Sequence, residues 1–227
     1  MTKPADPTLD CPIGQVECSL LQEIRGLRTE VEQLARLSQT DPLTGLFNFR
    51  YLIDALNREM ERTRRTGLTT GLIMIDLDHF KHVNDIRGHQ VGNRALQWCA
   101  ARWLEVVRKI DVLCRFGGEE FTVILPATRL AQAVRVAMRL REKLEISPLP
   151  LNPGELPLTA SFGVDVFRAN EELSPETFVE RTDGFLLTAK NQGRNRVCYE
   201  ESKVLRPATE VTLDERVAFF ATRWPRE

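Results

Sequence analysis

Two adjacent glycines, Gly117 and Gly118, stand between two apolar, β-rich runs, Val112 to Phe116 and Phe121 to Leu125. A Gly-Gly step between such runs predicts a tight hairpin, because the favoured two-residue turns need a positive φ that glycine adopts freely. Lacking side chains, Gly117 and Gly118 would also let a large ligand lie against the backbone. Glu119 and Glu120 follow at once and should leave the turn on opposite faces of the returning strand. An ordinary acidic hairpin would read the same way, but the pattern also suits a metal-binding acid placed beside a phosphate.

A second acidic element lies upstream. Gly71 to Ile75 is a short apolar run ending in Asp76-Leu77-Asp78, a pattern that predicts a buried strand with Asp76 at its C-terminal edge. Open α/β sheets bind ligands at such edges. The segment His79 to Asp85 predicts a short helix with Asp78 as its N-cap, which is favoured over metal ligation for that residue. Asp76 and the Gly-Gly-Glu-Glu turn together would form a hard-oxygen site suited to Mg²⁺.

The remaining chain supplies the frame. From about Gln15 a helix is expected in which Leu20, Ile24, Leu27, Val31 and Leu34 recur at spacings of four, three, four and three, a heptad seam. It would either pack on its own domain or form a short parallel stalk pairing two chains; the stalk is favoured. Further helices are expected at Tyr51–Arg64, Gln90–Val107 and Arg129–Leu144, and another running to Lys190 with Pro175 near its first position. Strands are expected at Leu158–Phe167 and Arg196–Tyr199, with a proline-rich connection at Pro148–Pro157. The order β-α-α-β-β-α-β-α-β predicts an α+β fold, a mostly antiparallel central sheet flanked by helices. Residues 1–14 read as a flexible start, 15–39 as the helical stalk, 40–200 as the catalytic domain and 201–227 as an extension.

Charged residues nearly cancel, 31 basic against 32 acidic for a formal −1. That balance gives no electrostatic case for a nucleic-acid polymer or an acidic membrane as partner. No run approaches the ~18 apolar residues of a membrane span, and the polar start is unlike a signal peptide, so a cytoplasmic location without membrane insertion is expected. The five cysteines are scattered, which argues against a disulfide framework. Cys99 and Cys114 lie in apolar segments and should be buried; Cys11 and Cys18 read as inert, with a redox or metal role as the alternative.

Several motifs now occur in a fixed order: Asp41-Pro42-Leu43-Thr44-Gly45-Leu46-Phe47-Asn48, Asp76-Leu77-Asp78-His79-Phe80-Lys81, Asn84-Asp85, Gly88-His89, Gly92, the Gly-Gly-Glu-Glu-Phe turn, Thr159 to Val164, and Ala189-Lys190 with Gly193 to Val197. From about Thr40 to Val197 the chain resembles GGDEF-family diguanylate cyclases, in the variant with a Gly-Gly-Glu-Glu-Phe signature. The resemblance implies the palm-like fold of nucleotide cyclases and polymerases. It also implies a nucleotidyltransferase that condenses two GTP into cyclic di-GMP and pyrophosphate as a homodimer, with Mg²⁺ or Mn²⁺.

On that resemblance, Asp76, the Leu77 carbonyl and Glu119 hold metal, and Glu119 is the base for the 3′-hydroxyl. Glu120 belongs to the same site in a role left open. Lys81 lies against the phosphates, as do the backbone amides at Phe80. Lys190 and Arg194 match late phosphate contacts, the alternative being an ordinary basic helix end. His89 matches a substrate contact or a structural loop residue. Guanine is read by Asn84 and by an Asp at the position where this chain has Asn93. An amide offers one acceptor where a carboxylate offers two, so a raised KM for GTP or a relaxed base choice is expected. Arg108 and Asp111, with five residues between Asp111 and Gly117, match an Arg-x-x-Asp site at which cyclic di-GMP inhibits, with Arg139 as a second contact. At ~3.3 Å per strand residue, Asp111 lies roughly 20 Å from the turn, outside the catalytic centre. The competing readings are a catalytically weak cyclic di-GMP-binding effector and a cyclase making an adenine-containing product.

Overall fold

The structure, a computed structural model, describes residues 22–24, 26–30 and 39–200. The expected stalk is helical at 22–24 and 26–30; the rest of its seam, the flexible start, Cys11, Cys18 and the extension at 201–227 lie outside the described residues.

Five strands form the main sheet in the order β2-β3-β1-β6-β7, where β1 is Thr70–Leu77, β2 Val112–Gly117, β3 Glu120–Leu125, β6 Ala160–Phe167 and β7 Val197–Cys198. All neighbours are antiparallel except β6 and β7. Central strands β1 and β6 are buried along their whole length, so their sequences run apolar without alternation. Their side chains still alternate between two cores. Ile73, Ile75 and Leu77 face the core built with α3 (His89–Leu104) and α4 (Leu130–Glu145), where Trp103 packs edge-on to Phe121. Leu72 and Met74 face the other core, with α1 (Phe49–Thr66) and α5 (Pro175–Asn191). Asp76 continues that second set, and so faces α5.

Local signals explain the boundaries. Asn48 caps α1 through its side chain, and Gly67 ends it at φ 75. Ser174 caps α5 with Pro175 in the first turn. Two features depart from expectation. The connection at 148–157 carries a short hairpin, β4 (Leu149–Pro150) with β5 (Glu155–Leu156). And Asp78 does not cap α2 (Phe80–Arg87): His79 holds the cap position at φ 56 without a side-chain bond, because the Asp78 carboxylate is taken by hydroxyls of Thr159 and Ser161.

Cys99 and Cys114 are buried as expected. Burial pushes both thiols up, Cys114 to about 12, which leaves them protonated and inert.

Candidate active site

The hairpin forms with the turn one residue later than the sequence indicates. Gly117 pairs with Glu120, so Gly118 and Glu119 occupy the turn. Only Gly118 needs the left-handed region, at φ 53. An irregularity at Phe116 accommodates the shift: Arg115 pairs with Phe121 and Gly117 with Glu120. A Cβ at either glycine would meet open space, which leaves room for a ligand over the turn.

Arg115 fixes that turn from below. Its Nε and Nη2 donate to the Gly118 carbonyl at 3.0 and 2.8 Å, and its Nη1 donates to the two carboxylate oxygens of Asp41 at 3.2 and 3.0 Å. Burial would raise the Asp41 carboxyl, but donors on Thr44 and the Arg115 guanidinium outweigh it and hold the group below its ordinary value. Asp41 and Arg115 lie 74 residues apart, and nothing in either motif announces the pairing.

Register brings the acids together. Asp76 on β1 sits directly across from Glu120 on β3, and the Leu77 N–H donates to the Glu119 carbonyl at 3.3 Å. Burial raises the Asp76 carboxyl, with the charges of Glu119 and Asp78 adding to it, while Lys190 opposes. Glu120 is likewise raised by burial first and by Asp76 next. Two raised carboxyls facing each other across the strands, Asp76 and Glu120, make a sink for positive charge. Lys190 from α5 supplies one, its Nζ 2.8 Å from Asp76 Oδ2.

Among the described residues no three acidic, histidine or cysteine side chains converge tightly enough to cage an ion alone. Mg²⁺ does not need such a cage: it is held by one or two carboxylates and completes its shell with water and phosphate oxygens. The mutually repelling Asp76, Glu119 and Glu120 fit that kind of ion.

The other expected residues divide by position. Asn84, His89 and Asn93 lie on the α2–α3 pair, where Gly92 abuts Asn84: a Cβ at Gly92 would fall 1.9 Å from Asn84 Oδ1. Lys81, His89 and Asn93 are exposed, and the Phe80 side chain is buried, leaving only its backbone for a ligand. Arg194 follows α5 in the left-handed region, at φ 62, on the turn that Lys190 precedes.

Arg108, Asp111 and Arg139 form a separate place at the far end of β2. The Arg108 N–H donates to Asp111 Oδ2 at 2.8 Å. Burial raises the Asp111 carboxyl, and the charges of Arg108 and Arg139 act against that. A cavity of about 340 Å³ opens there, lined by Arg108 and Asp111 together with Gly45, Leu46 and Phe47.

Comparisons with known proteins identify the family. The family model described as "Diguanylate cyclase, GGDEF domain" matches residues 38–196. The response regulator PleD of Caulobacter vibrioides is 40% identical over 173 residues, 75% of this chain and 38% of PleD. Diguanylate cyclase DgcP of Pseudomonas aeruginosa is 37% identical over 179 residues, 79% of this chain and 26% of DgcP. The chain thus spans less than half the length of these relatives. Among solved structures, the coiled coil and GGDEF domain of DgcB from Caulobacter crescentus, in complex with c-di-GMP, matches at a TM-score of 0.68 and 30% identity, over 79% of this chain and 95% of that one. On this evidence the chain belongs to the GGDEF-domain family of diguanylate cyclases.

Proposed function

We propose that this chain is a diguanylate cyclase that joins two GTP molecules into cyclic di-GMP, releasing two pyrophosphates, and works in the cytoplasm as a homodimer. The observation that carries the reading is the cross-strand placement of Asp76 beside the Gly118–Glu119 turn and Glu120, with Lys190 at the same sheet end. In each half-reaction the 3′-oxygen of one GTP bonds to the α-phosphorus of the other, and the bond from that phosphorus to the bridging oxygen of pyrophosphate breaks. Glu119 accepts the hydroxyl proton. Mg²⁺, held by Asp76, the Leu77 carbonyl and Glu119, would supply the positive charge that such a transfer needs. Lys81, Lys190, Arg194 and the amide at Phe80 bind phosphate oxygens, and charge on those oxygens is what the transition state gathers.

Asn84 and Asn93 read guanine, His89 flanks them, and Gly117 and Gly118 let the nucleotide lie close. Arg108 and Asp111, with Arg139 near, take cyclic di-GMP in the 340 Å³ cavity and restrain the enzyme. Arg108→Ala is expected to leave the initial rate intact and abolish inhibition by added product; an unchanged inhibition curve counts against this role. Incubation with Mg²⁺ and GTP, ATP or both, with products identified by mass, tests the whole reading. Cyclic di-GMP from GTP alone supports it. Adenine-containing products would point to relaxed base choice at Asn93. Absence of any product beside tight cyclic di-GMP binding would favour the effector reading, which Asn93 alone supports.

A further inference from the structure

Asp78 stands just beyond β1, two residues from Asp76, and is 8% exposed. Its carboxylate accepts three hydrogen bonds from two distant segments. Thr159 Oγ1 donates to Oδ2 at 2.8 Å, Ser161 Oγ to Oδ1 at 2.6 Å, and the Asn195 backbone N–H to Oδ2 at 3.0 Å. The Asp78 N–H in turn donates to the Thr159 carbonyl at 2.9 Å. A carboxylate engaged in this way, and turned toward the start of β6 and the turn after α5, serves the turn and not an ion.

That turn needs holding. Gly193, Arg194 and Asn195 lie in succession at φ 110, 62 and 43; glycine and asparagine tolerate that region, whereas Arg194 is a long side chain in a conformation it rarely adopts. Such a backbone persists only where its surroundings over-determine it. Asn195 is further tied to α4, its Nδ2 donating to Glu145 Oε1 at 3.1 Å and its Oδ1 accepting from Arg141 at 3.3 Å. The Arg194 side chain is left exposed at the sheet end that carries Lys190 and Asp76.

We infer that Asp78 is a positioning residue that fixes the Gly193–Asn195 turn so that Arg194 meets the nucleotide's phosphates. The inference rests on the proposed phosphate contact of Arg194, and the test separates the two. The probe is 3′-deoxy-GTP, which lacks the attacking hydroxyl, with its affinity measured by calorimetry in Mg²⁺ alongside KM and kcat for GTP. Arg194→Ala is expected to weaken binding about tenfold, the scale of one charge-assisted bond. Asp78→Ala should weaken it by a similar factor and raise KM more than it lowers kcat. The double variant should be no weaker than Arg194→Ala, because the turn then has nothing left to present. Asp78→Asn should recover most of the loss: its amide oxygen can still accept from Asn195 while its nitrogen donates to the Ser161 hydroxyl.

Unchanged affinity in Arg194→Ala overturns the phosphate contact itself. A tenfold effect there with no effect in Asp78→Ala, or a double variant weaker by the product of both, overturns the positioning role. Equal damage from Asn and Ala at position 78, with a raised Mg²⁺ requirement in both, would make Asp78 a metal ligand instead. Should Asp78→Ala not fold, Thr159→Val keeps the Asp78 carboxylate and removes the hydroxyl that aims its Oδ2 at the Asn195 N–H. Weaker binding absorbed by Arg194→Ala supports the inference, and unchanged binding ends it.

Discussion

A guanine edge presents two adjacent donors, which a carboxylate accepts together and an amide cannot, so the proposed role of Asn93 in reading guanine carries a cost. One lost charge-assisted bond corresponds to about 1–3 kcal/mol. Asn93→Asp is therefore expected to raise kcat/KM for GTP roughly ten- to a hundredfold, read from initial rates with GTP and ATP side by side; no gain would retire the idea. Asp76 gives a second prediction at this scale. Burial raises its carboxyl and Lys190 holds it back down. The ionised form, which the proposed metal site requires, is present above that raised value and is lost as pH falls through it. Lys190→Met removes the restraint, so the acid limb of the kcat/KM profile should move to higher pH, whatever happens to the plateau. An acid limb that stays in place would mean that Lys190 does not govern this group.

Between elements, contact depends on what the sequence leaves out. Gly163 on β6 lies under α5 so closely that an added Cβ would sit 2.4 Å from the Leu186 N and 2.5 Å from the Thr182 carbonyl. Backbone cannot yield as a side chain tip can, so Gly163→Ala should push α5 outward. The expected cost is about 1–3 kcal/mol in chemical denaturation, with activity falling further than stability because α5 carries Lys190. Wild-type stability would show that the helix can shift freely. Gly163 lies inside a motif quoted for the family resemblance, yet the sequence gives no reason for a glycine there; the reason is Thr182 and Leu186, on a helix further along the chain. The same limit governs the rest of the site. Strands, helices and the acidic turn follow from local periodicity and turn chemistry, and so were legible. The pairing of Asp41 with Arg115, the capture of Asp78 by Thr159, Ser161 and Asn195, and the one-residue placement of the turn depend on register between segments far apart in sequence. Asp78 shows the conflict directly: local preference favours it as a cap, and three donors brought by the fold outweigh that preference.

For the whole molecule, the proposed reaction imposes a constraint that no single domain can meet. On the proposed reading each GTP supplies half of the product and sits on one GGDEF domain, so two domains would face one another for bonds to form. The expected stalk is the element proposed to supply that association. Of the helical residues 22–24 and 26–30, Ile24 and Leu27 lie on the seam that the heptad spacing defines, and Leu27 is 54% exposed in the single chain, as a seam residue would be before it meets a partner. Replacing Ile24 and Leu27 with arginine puts charge on that seam and leaves the catalytic frame untouched. The double variant is expected to sediment as a monomer at micromolar concentration. Its specific activity should climb with protein concentration as encounters become more frequent, while that of the unaltered chain stays level. If the substituted protein keeps both its dimer and a concentration-independent rate, the two domains are brought together by some other surface, and the heptad pattern belongs to a helix that packs on its own domain.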